Sequence, residues 1–226
     1  YFRYIQKKEI MLLINFKNYP SAFNQGEVLA SKVEELSKEL SLKLFFSRPV
    51  STLSKYTSNS CVMSQHVDIG EGPKTTGLVT AETLKMIGVK STLLNHSEHN
   101  VNVSVIESTI AECKKNGVDV MLCFKNIGEL DLFTKFEPTY YLYEPSNLIG
   151  GTDNIKEKEP EVILKIREVL PHGKFFIGAG INSESDFNKA YEMGVDGIGL
   201  ASIVMGSDNP LEKLTQIISW EKEYRK

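Results

Sequence analysis

Eight short apolar runs, bounded by Gly, Pro or polar clusters and mostly separated by segments of helical period, constrain this chain more than any other feature. They lie at 11–16 (MLLINF), 42–46 (LKLFF), 60–64 (SCVMS), 91–95 (STLLN), 118–123 (VDVMLC), 139–143 (TYYLY), 174–177 (KFFI) and 195–200 (VDGIGL). Each has the length and the β-branched or aromatic content of a strand. Between them, apolar residues recur at helical spacing: Leu29, Val33, Leu36 and Leu40; then Val103, Ile106, Ile110 and Cys113; then Ile163, Ile166 and Leu170. Thr80 caps a short helix holding Leu84 and Ile87 and closed by Gly88, and Lys114-Lys115-Asn116-Gly117 reads as a helix end. Ser183 to Asp186 fits a capping box with Asp in place of Glu, and Pro210 opens a last helix carrying Leu211, Leu214, Ile217 and Ile218. Only a short helical segment separates the fifth and sixth runs. Strands alternating with helices imply parallel pairing. Eight such units without a compositional break predict an α/β fold, a closed single-domain (β/α)8 barrel. The 226 residues are ample for one such core.

Residues with chemical potential stand where these strands should end, and in such a barrel those ends form one rim, which carries the active site. The first run leads into Asn15-Phe16-Lys17 and the fourth into Asn95-His96-Ser97-Glu98. The sixth ends in Tyr143-Glu144-Pro145, where proline stops the ladder, and is followed by a loop with an apolar tip, Leu148-Ile149, and Gly150-Gly151. By itself Glu144 fits a surface acid opening an ordinary loop, Lys17 a solvated lysine, and His96 a structural imidazole. The seventh and eighth runs end in GAG and GIGLAS. Each glycine pair alone fits a tight turn or close strand packing. Together, after the last two strands of a barrel, they predict a phosphate cradle of backbone N–H groups.

Several functions are excluded. With 26 basic against 29 acidic residues the net charge is −3, so nothing points to a nucleic acid or an anionic membrane as partner. No apolar run approaches the roughly 20 residues of a membrane helix. No nucleotide cofactor is implied, since no GxGxxG follows a strand, and no metal, since no His, Cys or carboxylate cluster has ligand spacing. Cys61, Cys113 and Cys123 read as reduced, buried thiols of a cytoplasmic protein. Residues 1–10 are polar and aperiodic, which gives the expectation that they are a non-native or flexible lead and that 11–226 is the catalytic domain.

Taken together, Asn15-x-Lys17, Asn95-His96-Ser97-Glu98, Tyr143-Glu144-Pro145 with Ile149-Gly150, Gly178-Ala179-Gly180-Ile181 and Gly199-Leu200-Ala201-Ser202 resemble triosephosphate isomerase in order and spacing, from Met11 across nearly the whole chain. The brief segment between strands five and six resembles the compact archaeal branch. The resemblance implies an isomerase of glycolysis and gluconeogenesis that interconverts dihydroxyacetone phosphate and D-glyceraldehyde 3-phosphate through an enediolate, without a cofactor. It implies Glu144 as the base, His96 as a neutral electrophile and Lys17 as a positive charge beside substrate. Asn15 becomes a substrate-contacting donor, and Ile149, Gly180, Ala201 and Ser202 the phosphate cradle. Glu98 would hold Lys17 or the His96 loop. His66, His99 and His172 receive no role. A cytoplasmic homotetramer is expected, with a dimer as the other possibility and the long loop from His66 to Gly77 as a docking segment.

Two segments depart from the family's pattern. Gly150-Gly151-Thr152 stands where the flap usually reads Gly-Thr-Gly, and His99-Asn100 follows Glu98 where basic residues are usual. The competing reading is another phosphate-binding barrel enzyme, a synthase or aldolase on a phosphorylated metabolite. It would not need the Asn-x-Lys and Asn-His-Ser-Glu segments in combination. A catalytically silent phosphate-binding barrel would need neither Glu144, His96 nor Lys17.

Overall fold

The computed structural model describes residues 11–40, 42–56, 61–145 and 160–224. The expectations for residues 1–10 and for the flap, Ile149 included, fall outside them. Eight parallel strands close into a barrel in chain order: β1 (Met11–Asn15), β2 (Lys43–Arg48), β3 (Val62–Ser64), β4 (Ser91–Leu94), β5 (Asp119–Phe124), β6 (Tyr140–Tyr143), β7 (Phe175–Ile177) and β8 (Gly197–Leu200). Closure is made by β1 pairing with β8, Met11 against Gly197 through Ile14 against Leu200. The described helices are α1 (Pro20–Asn24), α2 (Gly26–Leu40), α3 (Ala81–Met86), α4 (Val103–Asn116), α5 (Ile127–Phe133), α6 (Pro160–Val169), α7 (Glu184–Glu192), α8 (Ser202–Met205) and α9 (Pro210–Tyr224).

Strand alternation sorts the side chains into two cores. Met11, Leu13, Phe45, Met63, Leu93, Met121, Cys123, Tyr140, Leu142 and Phe176 point into the barrel. The outward set, including Leu12, Ile14, Leu44, Phe46 and Ile198, packs with Leu29, Val33, Ile106, Ile163 and Ile166 of the helices. Continuing the inward set by two residues puts Asn15 above Leu13 and Glu144 above Leu142, both at the carboxyl rim. At the opposite end Lys43 reaches across from β2 to β6, where its ammonium donates to the Tyr140 hydroxyl at 2.5 Å. The same ammonium lies 5.1 Å from the Tyr140 ring centroid and 5.5 Å from that of Phe45, within cation–π range.

Three local expectations change. The fourth strand stops at Leu94, because Asn95 turns left-handed with φ 61°. The Ser183 hydroxyl oxygen accepts the Asp186 N–H at 3.2 Å, but the box is not reciprocal. The Asp186 carboxylate, one methylene shorter than Glu, instead takes the N–H of Asn182 at 3.2 Å and the hydroxyl of Ser183 at 2.7 Å. In the eighth run, Gly197 and Gly199 both face the barrel interior, and of the two only Gly199 also lines the rim cavity. A Cβ at Gly197 would overlap the Phe176 ring, and one at Gly199 would lie 3.2 Å from Leu142. These two glycines let aromatic and aliphatic neighbours fill the core.

Candidate active site

The rim brings together residues far apart in the chain. Glu144 follows β6 and is 5% exposed; His96 follows β4 and is 8% exposed. Their side chains meet, with Glu144 Oε1 3.0 Å from His96 Nε2. The other carboxylate oxygen, Oε2, accepts the Ser97 N–H at 3.0 Å. Behind the imidazole, the Glu98 N–H donates to His96 Nδ1 at 3.1 Å. A nitrogen that accepts an N–H carries no hydrogen of its own, so the ring holds its hydrogen at Nε2 and offers it to the rim. Asn15 Nδ2 lies 3.4 Å from that same Nε2 and is a contact, not a donor to it, because Nε2 has no free lone pair in this tautomer.

Asn15 is orientated by its oxygen. Oδ1 accepts the Lys17 N–H at 3.0 Å and the Ser47 hydroxyl at 2.9 Å, which turns the amide NH2 toward the cavity. Lys17 sits in the left-handed region with φ 41°, a strained setting for a side chain of its size. Gln65 Nε2 donates to the Lys17 carbonyl at 3.1 Å and so holds that conformation from β3. The Lys17 ammonium pairs with Glu98 Oε1 at 2.7 Å. With Lys17 partly buried and Glu98 exposed, this pair steers the lysine more than it stabilises the fold.

A cavity of about 300 Å³ opens between these groups and the turns after β7 and β8, lined by Asn15, Lys17, Glu144, Gly180, Ala201 and Ser202 among others. A second cavity of about 440 Å³ flanks Asn15, Lys17 and His96 on the other side. Gly180 has φ 78°, a conformation that favours glycine and aims its backbone at the cavity. Gly178 is needed for space instead, since a Cβ there would press within 3.2 Å of both Glu144 Cγ and Leu142. Beneath Glu144 lies Cys123, whose buried thiol is pushed well above its usual pKa, first by burial and then by the negative charge of Glu144. It is a neutral thiol, not a nucleophile. Among the described residues no group of three or more His, Cys, Asp or Glu side chains is placed to hold a metal ion.

Sequence reasoning gives Ser47, Gln65 and Cys123 no part in the site. Ser47 and Gln65 are the polar residues at and just past the ends of β2 and β3, a signal equally expected of any strand entering a loop. His66 and His99 stack at 3.9 Å between centroids, with His66 3.1 Å from Asp68.

The sequence profile described as Triosephosphate isomerase matches residues 10–220. The chain belongs to the triosephosphate isomerase family. It is 33% identical to the triosephosphate isomerase of Saccharolobus solfataricus over 215 residues, which cover 92% of this chain and 94% of the relative. It is 32% identical to that of Sulfurisphaera tokodaii, covering 92% and 93%, and 30% identical to that of Methanocaldococcus jannaschii, covering 93% and 100%. Family membership sets aside the synthase and aldolase reading. The compact archaeal likeness expected from the short fifth unit agrees with these relatives. No described helix is long and apolar enough to cross a membrane.

Proposed function

We propose that Glu144, His96, Lys17 and Asn15 carry out the family's reaction in this chain, the interconversion of dihydroxyacetone phosphate and D-glyceraldehyde 3-phosphate. The observation that supports this most is the 3.0 Å contact between a buried carboxylate and an imidazole holding its hydrogen at Nε2. Glu144 takes a proton from the substrate carbon next to the carbonyl. The electron pair moves into a carbon–carbon double bond and the carbonyl oxygen becomes an enediolate oxygen. The His96 Nε2–H and the Lys17 ammonium face that oxygen, where fixed donors act most strongly on developing charge. The hydroxyl proton of the first carbon passes to the enediolate oxygen, that carbon becomes the new carbonyl, and the proton on Glu144 is added to the former carbonyl carbon, which regenerates the carboxylate. Nothing is oxidised or consumed overall. With substrate present, Nε2–H exchanges its Glu144 partner for a substrate oxygen, which frees Oε1 to act as base.

Backbone N–H groups of Gly180, Ala201 and Ser202, with Ile149 from the flap, hold the phosphate. Glu98 keeps Lys17 in range by its ion pair. The chain works as a cytoplasmic homotetramer; partly exposed Ile69 and Leu78 on the loop after β3 support an assembled form. The test is a coupled isomerase assay with glyceraldehyde 3-phosphate, on the wild type and on His96→Gln. Turnover by the wild type, reduced about 10²-fold or more in the variant, is expected. No turnover by the folded wild type would overturn the assignment.

A further inference from the structure

None of the roles above uses Asn95, although it stands in the same run as His96. It is 5% exposed and left-handed, φ 61°, a setting that asparagine tolerates better than most residues. Its side-chain amide is used at both ends. Nδ2 donates to the Cys123 carbonyl on β5 at 3.0 Å. Oδ1 accepts the N–H of Val101 at 2.9 Å.

The first bond takes the rung that the β4 backbone would occupy next, since β4 and β5 pair in register up to Leu94 against Leu122. The strand is thereby released and the chain turns out of the sheet at His96. The second bond closes residues 96–100 into a loop whose start and finish are pinned to one amide. Within that loop lie the N–H of Glu98 that faces His96 Nδ1 and the N–H of Ser97 that faces Glu144. The loop is further tightened by the His99 N–H on the His96 carbonyl at 2.8 Å and by Asn100 Nδ2 on the Ser97 carbonyl at 3.0 Å. On β5, the residue after Cys123 carries the carbonyl that accepts the Glu144 N–H at 2.9 Å. One amide therefore ties the imidazole's loop to the strand end that seats the carboxylate.

We infer that Asn95 is a positioning residue: its amide clamp aims the Glu98 N–H at His96 Nδ1 and so keeps the imidazole hydrogen on Nε2. The inference rests on the role assigned to His96. Without the clamp the loop is free to shift, Nδ1 loses its donor, and the ring exchanges its hydrogen between the two nitrogens. A displacement of about 1 Å at a reacting group costs about 10²-fold in rate.

The decisive variant is Asn95→Gly, which keeps the left-handed turn without strain and removes the amide. Turnover, KM, the affinity for inorganic phosphate and the ¹⁵N signals of the His96 ring are measured together. kcat is expected to fall about 10- to 10²-fold, with KM and phosphate affinity within about threefold of wild type. The wild-type ring should show one unprotonated nitrogen, Nδ1, and one protonated nitrogen, Nε2. In the variant the two signals should move toward each other. Wild-type kcat, or a lowered kcat with unchanged ring signals, would overturn the inference. Should the glycine variant not fold, Asn95→Asp keeps the shape and the Val101 acceptor but replaces the donor to Cys123 by an acceptor oxygen, which breaks the clamp on that side, with the same two readouts. His96→Gln at wild-type turnover would instead sink the reading of His96, and the ring signals of Asn95→Gly would still judge Asn95.

Discussion

The substitution Glu144→Gln tests the site more sharply than a loss of activity alone. Both carboxylate oxygens of Glu144 accept: Oε1 faces the His96 Nε2–H at 3.0 Å and Oε2 the Ser97 N–H at 3.0 Å. A glutamine has one oxygen and one NH2, so whichever way it turns, one N–H must face another. The imidazole cannot relieve the conflict by moving its hydrogen to Nδ1, because the Glu98 N–H occupies that side. From sequence alone Gln is a near-isostere that should leave the melting curve almost unmoved; the structure makes it a buried mismatch. An unsatisfied buried donor costs about 1–3 kcal/mol. At roughly 2–4 °C per kcal/mol for a domain of this size, Tm should drop by about 2–12 °C. Turnover should fall by about 10²- to 10⁴-fold, because the amide is no base. Affinity for inorganic phosphate should hold, since the cradle does not involve this side chain. Scanning calorimetry and the coupled assay on the same preparation separate the two effects. An unchanged Tm would refute the double-acceptor geometry, and wild-type turnover would remove Glu144 as the base.

Other substitutions probe neighbouring contacts. Gly178→Ala places a methyl 3.2 Å from Glu144 Cγ and should lower kcat by about tenfold while changing KM little, since a few tenths of an ångström displace the carboxylate from its line of attack; steady-state kinetics equal to wild type would count against that crowding. Lys17→Ala should weaken both substrate binding and turnover, and Lys17→Arg should restore only part, because the guanidinium is larger and planar; a fully active alanine variant would return Lys17 to the surface. His66 is held below the usual imidazole pKa, chiefly by burial. The unfolded chain therefore binds more protons there, and stability should rise with pH from the lowered folded value up to about 6.5, the unfolded value. Tm measured across that window should flatten in His66→Gln, and an identical slope would show that other groups set it. Burial raises the Cys113 thiol to about 12 and the Cys123 thiol well above its usual value, so both should resist iodoacetamide at pH 8 in the native protein. Rapid alkylation of either, seen by mass spectrometry, would contradict their burial.

What is legible in the sequence is what depends on local period and punctuation. The eight runs show their length and their turn residues directly. The inward alternation that fills the barrel also carries Asn15 and Glu144 to the rim, so their placement follows from counting by two along β1 and β6. The pairing of His96 with Glu144 is different in kind. It depends on β4 and β6 lying two strands apart on a closed circle, and topology rather than period supplies that. The glycines of the eighth strand read as phosphate-binding because a missing Cβ is visible in sequence, while the neighbour that fills its space is not. Phe176 fills it at Gly197 and Leu142 crowds it at Gly199, although Gly199, like Gly180, also lines the cavity. Ser47 and Gln65 are illegible for a related reason. Nothing in their own segments says that they converge on the oxygen of Asn15 and the carbonyl of Lys17. Asp186 fails as a box partner through one methylene of reach.

The bridge from Lys43 to Tyr140 spans strands on opposite sides of the circle, at the end farthest from the reacting groups. It acts as a tie-rod across the foot of a cylinder. A sheet closed on itself can still ovalise, and a strut across its diameter opposes that distortion where neighbouring-strand pairing cannot. The two ends of the molecule thus do different work in the fold. The upper end gathers the polar side chains of the rim, and the lower holds the cylinder to its round section. A change that broke the bridge at Lys43 or Tyr140 would loosen the foot of the cylinder without touching the side chains of the rim.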